Sequence, residues 1–361
     1  MTVTLRDVAA HAGVSLQTVS NVTNERTARV GEDTRAKVLA AIAALNYRPN
    51  AAARHLRKMP TGVLALAIPD LVNPYFAEVS RVIVAEAAAR GYTVLLDYTN
   101  WDREQELLVA TGMRPHLIDG LILDAQRLTI ADLTASPQVP IVLLGERLYG
   151  GPYDHVVIDN VAAARLATEH LIALDRRRIA VIGRQEHSTS NVSQMRLQGY
   201  LEALDAADRA ADPRLQPSTG RWNHASGAAA MRALLALPEP PDAVFCCSDM
   251  LSIGAISVLH QAGLRIPEDV AVIGFDDVDD AQFTVPPLTS IAPDKATIGR
   301  LVVELLIQRI TGARAGPPQR FDQAFRLVIR QSTVGADVPH AVTVPHTVMA
   351  PPTHPHVAEP A

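Results

Sequence analysis

Cysteine is almost missing from this chain of 361 residues, which has only Cys246 and Cys247. Because they are neighbours, a disulfide between them would be strained, and no CxxC spacing offers a metal or redox site. Their apolar surroundings mark them as buried thiols. Long hydrophobic runs are lacking too. No stretch approaches the roughly 20 apolar residues of a membrane span, and Arg6 and Asp7 break the N-terminus where a signal peptide needs its apolar centre. The expectation is a cytoplasmic protein without membrane contact. Catalytic signatures are also missing: there is no GxSxG elbow, GxGxxG loop, GxxxxGK[ST] phosphate loop or HExxH zinc pair. Asp276, Asp277, Asp279 and Asp280 stand too close together in sequence to form a glycosidase pair. The chain therefore reads as a non-enzyme with no resident cofactor or metal.

What is present starts at the N-terminus. Leu5, Val8, Ala9 and Ala12 recur at helical spacing, and Gly13 supplies a turn that a residue with a Cβ would resist. Ser15 stands where an N-cap for a second helix over Leu16 to Asn24 belongs. Val14, Val19 and Val22 are expected to face inward, with Leu16, Gln17, Ser20 and Asn21 facing out. This is a helix-turn-helix, whose second helix presents its N-terminal side chains to base edges in the major groove. Gln17 and Asn21 can each bind adenine in two places, while Leu16 can touch a thymine methyl. Charge agrees. Residues 1–58 hold nine Lys and Arg against four acids, a net of +5, whereas the whole chain carries −5, leaving −10 for the remainder. A basic head on an acidic body suits a protein that neutralises phosphates at one end.

A chain of this length has room for two or three units, and its 48% hydrophobic content can fill a sizeable core. From Gly62 to about Gly335, apolar runs such as Val63 to Ile68, Leu121 to Leu123, Ile179 to Ile182 and Val270 to Ile273 alternate with helical stretches, as in parallel sheets covered on both faces. The last residues, 336–361, are rich in Pro, Ala and His, carry no leucine heptad, and read as a disordered tail. His340, His346, His354 and His356 read there as solvated rather than metal-binding.

Several segments together resemble the lactose/galactose repressor family. They are Thr4-Leu5-Arg6-Asp7-Val8-Ala9, Ala12-Gly13-Val14-Ser15, Thr18-Val19-Ser20-Asn21-Val22 and Leu45-Asn46-Tyr47-Arg48-Pro49-Asn50, then Asn73-Pro74-Tyr75-Phe76, Ser248-Asp249 and Val272-Ile273-Gly274-Phe275-Asp276-Asp277. The match extends to about residue 335. It implies an all-α helix-turn-helix headpiece at 1–48, a hinge at 49–61, and an α/β core of the type I periplasmic-binding-protein kind at 62–335. That core would hold two doubly wound parallel-sheet subdomains, about 62–159 with 292–321 and about 160–289 with 325–335, crossing near Asp159–Asn160, Thr289–Ala292 and Phe321–Phe325. The function implied is a DNA-binding transcriptional regulator, a repressor, acting as a homodimer on a near-palindromic operator. Its effector would be a small molecule, a sugar, in the interdomain cleft. A co-repressor of purine type or a protein partner is the alternative; a transport-type sugar receptor would need an export signal and no basic headpiece.

The resemblance also implies roles residue by residue. Ser15, Leu16, Gln17, Thr18, Ser20 and Asn21 lie on or before the recognition helix. Thr34, Tyr47 and Asn50 would anchor phosphates, and Arg29, or Arg26 in its stead, would reach the DNA. In the hinge, Ala53 would let two helices pack closely, Leu56 would wedge between base pairs, and Arg57 would contact the minor groove or phosphates; the bland reading of Leu56 is a cover for the core. In the cleft, Arg196 and Asp276 match a polar clamp for neighbouring hydroxyls, and Trp222 matches an aromatic wall, unless it is ordinary core. Tyr75, Phe76, Asp124 and Glu146 would come from the first subdomain. Ser248 and Asp249 fall at a strand end, where Asp249 is either a ligand or a cap. Asn21 stands where many members carry Arg or His, which implies a different operator.

Overall fold

A computed structural model of the chain describes residues 3–23, 30–45, 47, 60–111, 117–134, 139–146, 148, 151–185, 191–335 and 342–346. It divides into two compact units, Met1–Thr61 and Gly62–Ala361.

The first unit is helical. Helix α1 (Leu5–Ala12) begins where the Asp7 carboxylate accepts the Thr4 backbone N–H and hydroxyl, both at 2.7 Å. These two bonds hold the Asp7 carboxyl below its usual range. The helix ends at Gly13 in the left-handed region, φ 65°, as the turn requires. Ser15 then caps helix α2 (Leu16–Thr23), its Oγ accepting the Thr18 N–H at 3.1 Å. Helix α3 (Glu32–Ala44) places Glu32 and Asp33 in its first turn, where the helix dipole favours negative charge. Val8, Ala9, Val19, Val22, Val38 and Ala41 form the core of this unit, and the Tyr47 ring joins them.

The second unit consists of two lobes. The first runs β1 (Val63–Ile68), α4 (Pro74–Ala89), β2 (Thr93–Tyr98), α5 (Arg103–Thr111), β3 (Gly120–Asp124), α6 (Ile130–Thr134), β4 (Ile141–Leu144) and β5 (Asp154–Ile158). The second runs α7 (Asn160–Ala173), β6 (Ile179–Ile182), α8 (Asn191–Ala206), α9 (His224–Leu235), β7 (Ala243–Cys246), α10 (Asp249–Gln261), β8 (Ala271–Phe275) and β9 (Thr289–Pro293). The chain then returns through α11 (Lys295–Thr311) and β10 (Arg320–Gln323) to the first sheet, and through β11 (Phe325–Ile329) and α12 (Gln331–Val334) to the second. Strand order is β10-β5-β4-β3-β1-β2 in one sheet, parallel throughout. In the other, β9, β8, β7 and β6 are parallel and β11 runs antiparallel to β9. Strands β3, β4, β5, β6, β7 and β8 are buried along their whole length, as expected of strands covered on both faces.

Two expectations need correcting here. The second crossing lies at Asp294, not within Thr289–Ala292, because that segment pairs with β8 as a strand of the second sheet. And residues 342–346 of the presumed disordered tail form β12 (Val342–His346), antiparallel to β11. The Val-Thr-Val sequence is suited to a strand, and β11 presents an edge whose backbone groups otherwise have no partner in the sheet. Asp159 and Asp294, at two of the crossings, are both N-caps: their carboxylates accept the N–H groups of Ala162 and Thr297 at 2.9 and 3.0 Å. At the third crossing only Ala324 separates β10 from β11.

Helices α9 and α10 meet backbone to backbone through Gly227 and Gly254. An ideal Cβ on Gly254 would lie 2.0 Å from the His224 carbonyl oxygen, and one on Gly227 2.1 Å from that of Leu251. Neither obstacle is a side chain that could turn aside. Gly254→Ala gains about 1 kcal/mol of helix propensity but forces the helices apart, at a cost of about 3 kcal/mol. A melting temperature several degrees below that of the wild type is expected in calorimetry, and an unchanged or higher value would show that the helices do not pack this closely.

Candidate functional site

A cavity of about 430 Å³ opens between the two lobes at the carboxyl ends of their strands, where open α/β sheets bind ligands. Seven of the nine expected effector residues line it: Tyr75, Phe76, Asp124, Glu146, Arg196, Trp222 and Asp276.

Arg196, on α8, is the buried centre of the site, only 6% exposed. Its Nε donates to Asn160 Oδ1 at 2.7 Å, its Nη1 donates to the Cys247 carbonyl, and Asp276 Oδ1 stands 3.8 Å from Nη1. The guanidinium also lies 3.3 Å from the centre of the Phe275 ring and 5.4 Å from that of Trp222. The cation is thus held flat by two aromatic faces and fixed in plane by two acceptors. Trp222 is fixed in turn, its Nε1 donating to the Gly183 carbonyl at 2.9 Å. Gly183 has φ 136°, and a Cβ there would collide with Cys247 at 2.3 Å, so glycine is required to bring this carbonyl to the tryptophan. Burial pushes the Cys247 thiol up to about 12, which keeps it protonated against the arginine.

The turn after β8 is strained. Asp276 and Asp277 both have left-handed backbone, with φ 109° and 47°, a conformation that costs on the order of 1 kcal/mol or more each. Lys295 holds the turn, its Nζ donating to the carbonyls of both residues at 2.8 Å while pairing with Glu78 at 2.6 Å. Glu78 also accepts the Asp279 N–H at 2.9 Å, so α4 of the first lobe is tied to the second. From the first lobe, Glu146 accepts the Ile158 N–H at 2.9 Å, and Asp124 accepts from Gln126 Nε2. Burial raises Asp124, Glu146 and the Tyr75 phenol, and pushes the Asp276 carboxyl up to about 6 against the opposing pull of Arg196 and Lys295. The site therefore offers carboxyls as acceptors, and protonated ones as donors, around a single buried cation.

Two expected residues fall elsewhere. Ser248 caps α10, its Oγ accepting the Leu251 N–H at 3.4 Å. Asp249 is fully buried and accepts from Val278 N–H and Ser290 Oγ, at 2.9 and 2.7 Å. Both carboxylate oxygens of Asp249 are used in holding the β8 turn to β9, which leaves it a structural group. Conversely, Asp70, Asn73, Trp101, Gln126, Arg127 and Arg221 line the cavity without having been expected. Asn73 caps α4 through Tyr75 N–H, a signal readable in its Asn-Pro sequence. Gln126 and Arg127 are placed by Glu106, which accepts both of their N–H groups at 2.9 Å; nothing local in the sequence announces that.

In the first unit, Leu16 and Gln17 are exposed, Asn21 is half-buried, and Gln17 Nε2 donates to Asn21 Oδ1 at 3.1 Å. The two base readers expected from the sequence are thus coupled one helical turn apart. Thr18 hydrogen-bonds Ser15 Oγ at 2.8 Å, and Thr34 lies half-buried on the first turn of α3. Ser20 is a correction: it is 6% exposed, because the inward arc of α2 spans Val19, Ser20 and Val22 and a small side chain fits between its neighbours. The Tyr47 ring packs into the headpiece core. Arg29, Asn50, Ala53, Leu56 and Arg57 lie outside the described residues.

With this geometry in place, comparison with known proteins decides the family. Residues 4–50 match the model of bacterial regulatory proteins, lacI family, and residues 168–333 match a periplasmic binding protein-like domain. The HTH-type transcriptional repressor PurR of Haemophilus influenzae is 35% identical over 336 residues, covering 91% of this chain and 98% of that protein. The chain belongs to the lacI family. Among solved structures, the lac repressor dimer bound to operator and an anti-inducer is 28% identical with a TM-score of 0.79, covering 93% of this chain and all of that one. The transcriptional regulator CelR in complex with cellobiose is 34% identical with a TM-score of 0.66, covering 91% and 99%. This lacI-family chain is a DNA-binding transcriptional repressor under small-molecule control, and not an enzyme.

The raised Asp276 carboxyl gives a test of the site. Its folded-state value of about 6 lies above the ordinary 3.8, so its contribution to stability is complete below about pH 4 and is lost as pH rises through 6. Asp276→Asn mimics the protonated group at every pH. Denaturant titrations should show the variant gaining on the wild type between pH 4 and pH 7, by up to about 3 kcal/mol; a difference that does not change with pH would contradict the buried carboxyl.

Proposed function

We propose that this repressor binds a near-palindromic operator as a homodimer in the cytoplasm, and that a neutral, hydroxyl-rich ligand of sugar type in the cleft controls that binding. The observation that carries the ligand class is the charge and hydrogen-bonding pattern of the cavity. Asp70, Asp124, Glu146 and Asp276 line it together with three arginines, of which Arg196 is buried and Arg127 and Arg221 are exposed, and this mixed wall matches vicinal hydroxyls, each able to donate to a carboxylate and accept from Arg196. The aromatic face of Trp222 suits the C–H face of a sugar ring. The CelR–cellobiose complex supports the same class.

On the DNA side, the hydrogen-bonded pair of Gln17 and Asn21 reads bases, with Leu16 as an apolar neighbour and Thr34 at the backbone. Leu56 of the hinge acts as the minor-groove wedge, with Ala53 permitting close approach of a second hinge. A dimer is supported by the lac repressor dimer bound to its operator, to which this chain is similar, and by the exposed apolar side chains Phe283 and Val285 of the second lobe, 72% and 74% exposed. Ligand binding then acts by favouring one arrangement of the lobes, which changes the distance between the two hinges.

Selection from a random inverted-repeat library should yield a preferred operator. Gln17→Ala should weaken binding to it by about 1–3 kcal/mol while leaving nonspecific binding within about twofold, and Leu56→Ala should likewise spare nonspecific binding. Equal losses on random competitor would remove the base-reading and wedge roles. Arg196→Ala should leave operator affinity intact and abolish the response to whichever sugar shifts the wild type; a retained response would mean that the effector sits elsewhere.

A further inference from the structure

The chain has two tryptophans in all, and both line this one cavity from opposite lobes. Trp222 belongs to the inner group with Arg196 and Asp276. Trp101 belongs to the first lobe, on the loop between β2 and α5, with Gln126 and Arg127 beside it on the cavity wall and Arg221 of the other lobe bonded to its neighbour, Nη1 donating to Asn100 Oδ1 at 3.2 Å.

This loop is expensive to fold. Asn100 and Trp101 are consecutive non-glycine residues with left-handed backbone, φ 51° and 59°. The Trp101 Nε1 is buried without a hydrogen-bond partner among the described residues. A loop that only joined β2 to α5 would be served better by glycine and a smaller side chain. Such costs concentrate where a ligand is clamped. The conformation is held in place by a short network: Tyr98 donates its hydroxyl to Asn100 Oδ1 at 2.7 Å, Arg221 reaches the same oxygen from across the cleft, and Arg127 Nε donates to the Trp101 carbonyl at 3.3 Å. The cavity at about 430 Å³ is larger than a lone hexose fills.

We infer that the cleft has two ring subsites, an inner one on Trp222 with Arg196 and Asp276 and an outer one on Trp101 with Gln126 and Arg127, and that its ligand is a glycoside of two rings. The inference rests on the sugar reading above and extends it. Stacking of a sugar ring asks only for an aromatic face at position 101, so phenylalanine should replace Trp101 without loss, whereas alanine should not. The outer subsite also accounts for the interlobe contact at Asn100, because a second ring lying under that bridge ties ligand length to lobe closure.

The test is calorimetric titration of the full-length protein with glucose, galactose, cellobiose, lactose, maltose, trehalose and, as a base-plus-ribose control, adenosine. At least one disaccharide is expected to bind tenfold or more tightly than its component monosaccharides. Trp101→Ala should erase that advantage while changing monosaccharide affinity by less than twofold, Trp101→Phe should keep it, and Trp222→Ala should weaken both. Melting curves without ligand verify that the variants fold. Monosaccharides binding as well as every disaccharide, or Trp101→Ala weakening both equally, would overturn the outer subsite and leave the sugar reading intact. Adenosine binding more tightly than any sugar, or no sugar binding at all, would overturn both.

Discussion

A positive charge buried between aromatic rings is the constraint around which the effector site is built. Removing a guanidinium from water costs several kcal/mol unless its donors are matched, and Arg196 is matched by groups from three separate stretches: Asn160 just after the first crossing, the carbonyl of Cys247 at the end of β7, and Asp276 past β8. Meeting that demand draws the β8 turn into left-handed backbone. That turn in turn requires Lys295 from the second stretch of the first lobe, and Lys295 requires Glu78. The polar network therefore runs from the ligand cavity through the strained turn into the helix that begins at the second crossing. A ligand that shares Asp276 or Arg196 alters the balance of charges along the whole path.

The crossings give that network a mechanical consequence. Two of them pass directly from a strand into a helix capped by an aspartate, so the chain turns within a residue or two and has no slack. Lobes joined by short, capped crossings move as bodies about a hinge rather than by loosening. Two ties cross the cleft: Glu78 accepts the Asp279 N–H while also pairing with Lys295 beside the second crossing, and Arg221 donates to Asn100. This is the arrangement in which a small molecule of modest size can bias a large structure.

Much of this was legible from the chain alone where the physics is local. The Gly13 turn, the Ser15 cap, the valine stripe of α2 and the buried parallel strands all depend on residues within a few positions of one another. Arg196, Asp276 and Trp222 were readable through resemblance, since their segments keep recognisable neighbours. Errors arose where one residue type serves two roles at the same kind of place. Asp249 and Asp276 both follow strands of the second sheet, yet one fastens β8 to β9 and the other faces the cavity. Ser20 was misplaced because a short helix with a broad inward arc admits a small polar residue that a simple periodicity puts outside. Val342–His346 was misjudged because composition describes the tail as a whole, whereas a strand needs only five suitable residues and an available edge.

The sequence by itself determined the helix-turn-helix, the charge division between head and body, and the alternation of strands and helices, since each follows from periodicity, capping chemistry or counting of charges. Tertiary structure alone decided which polar groups converge on one cavity and which are spent on caps. It also decided that tryptophans 121 positions apart share a single cleft. The reason is that a cavity wall is assembled from chain segments brought together by the crossings, and the register of that assembly depends on the packing of every strand between them.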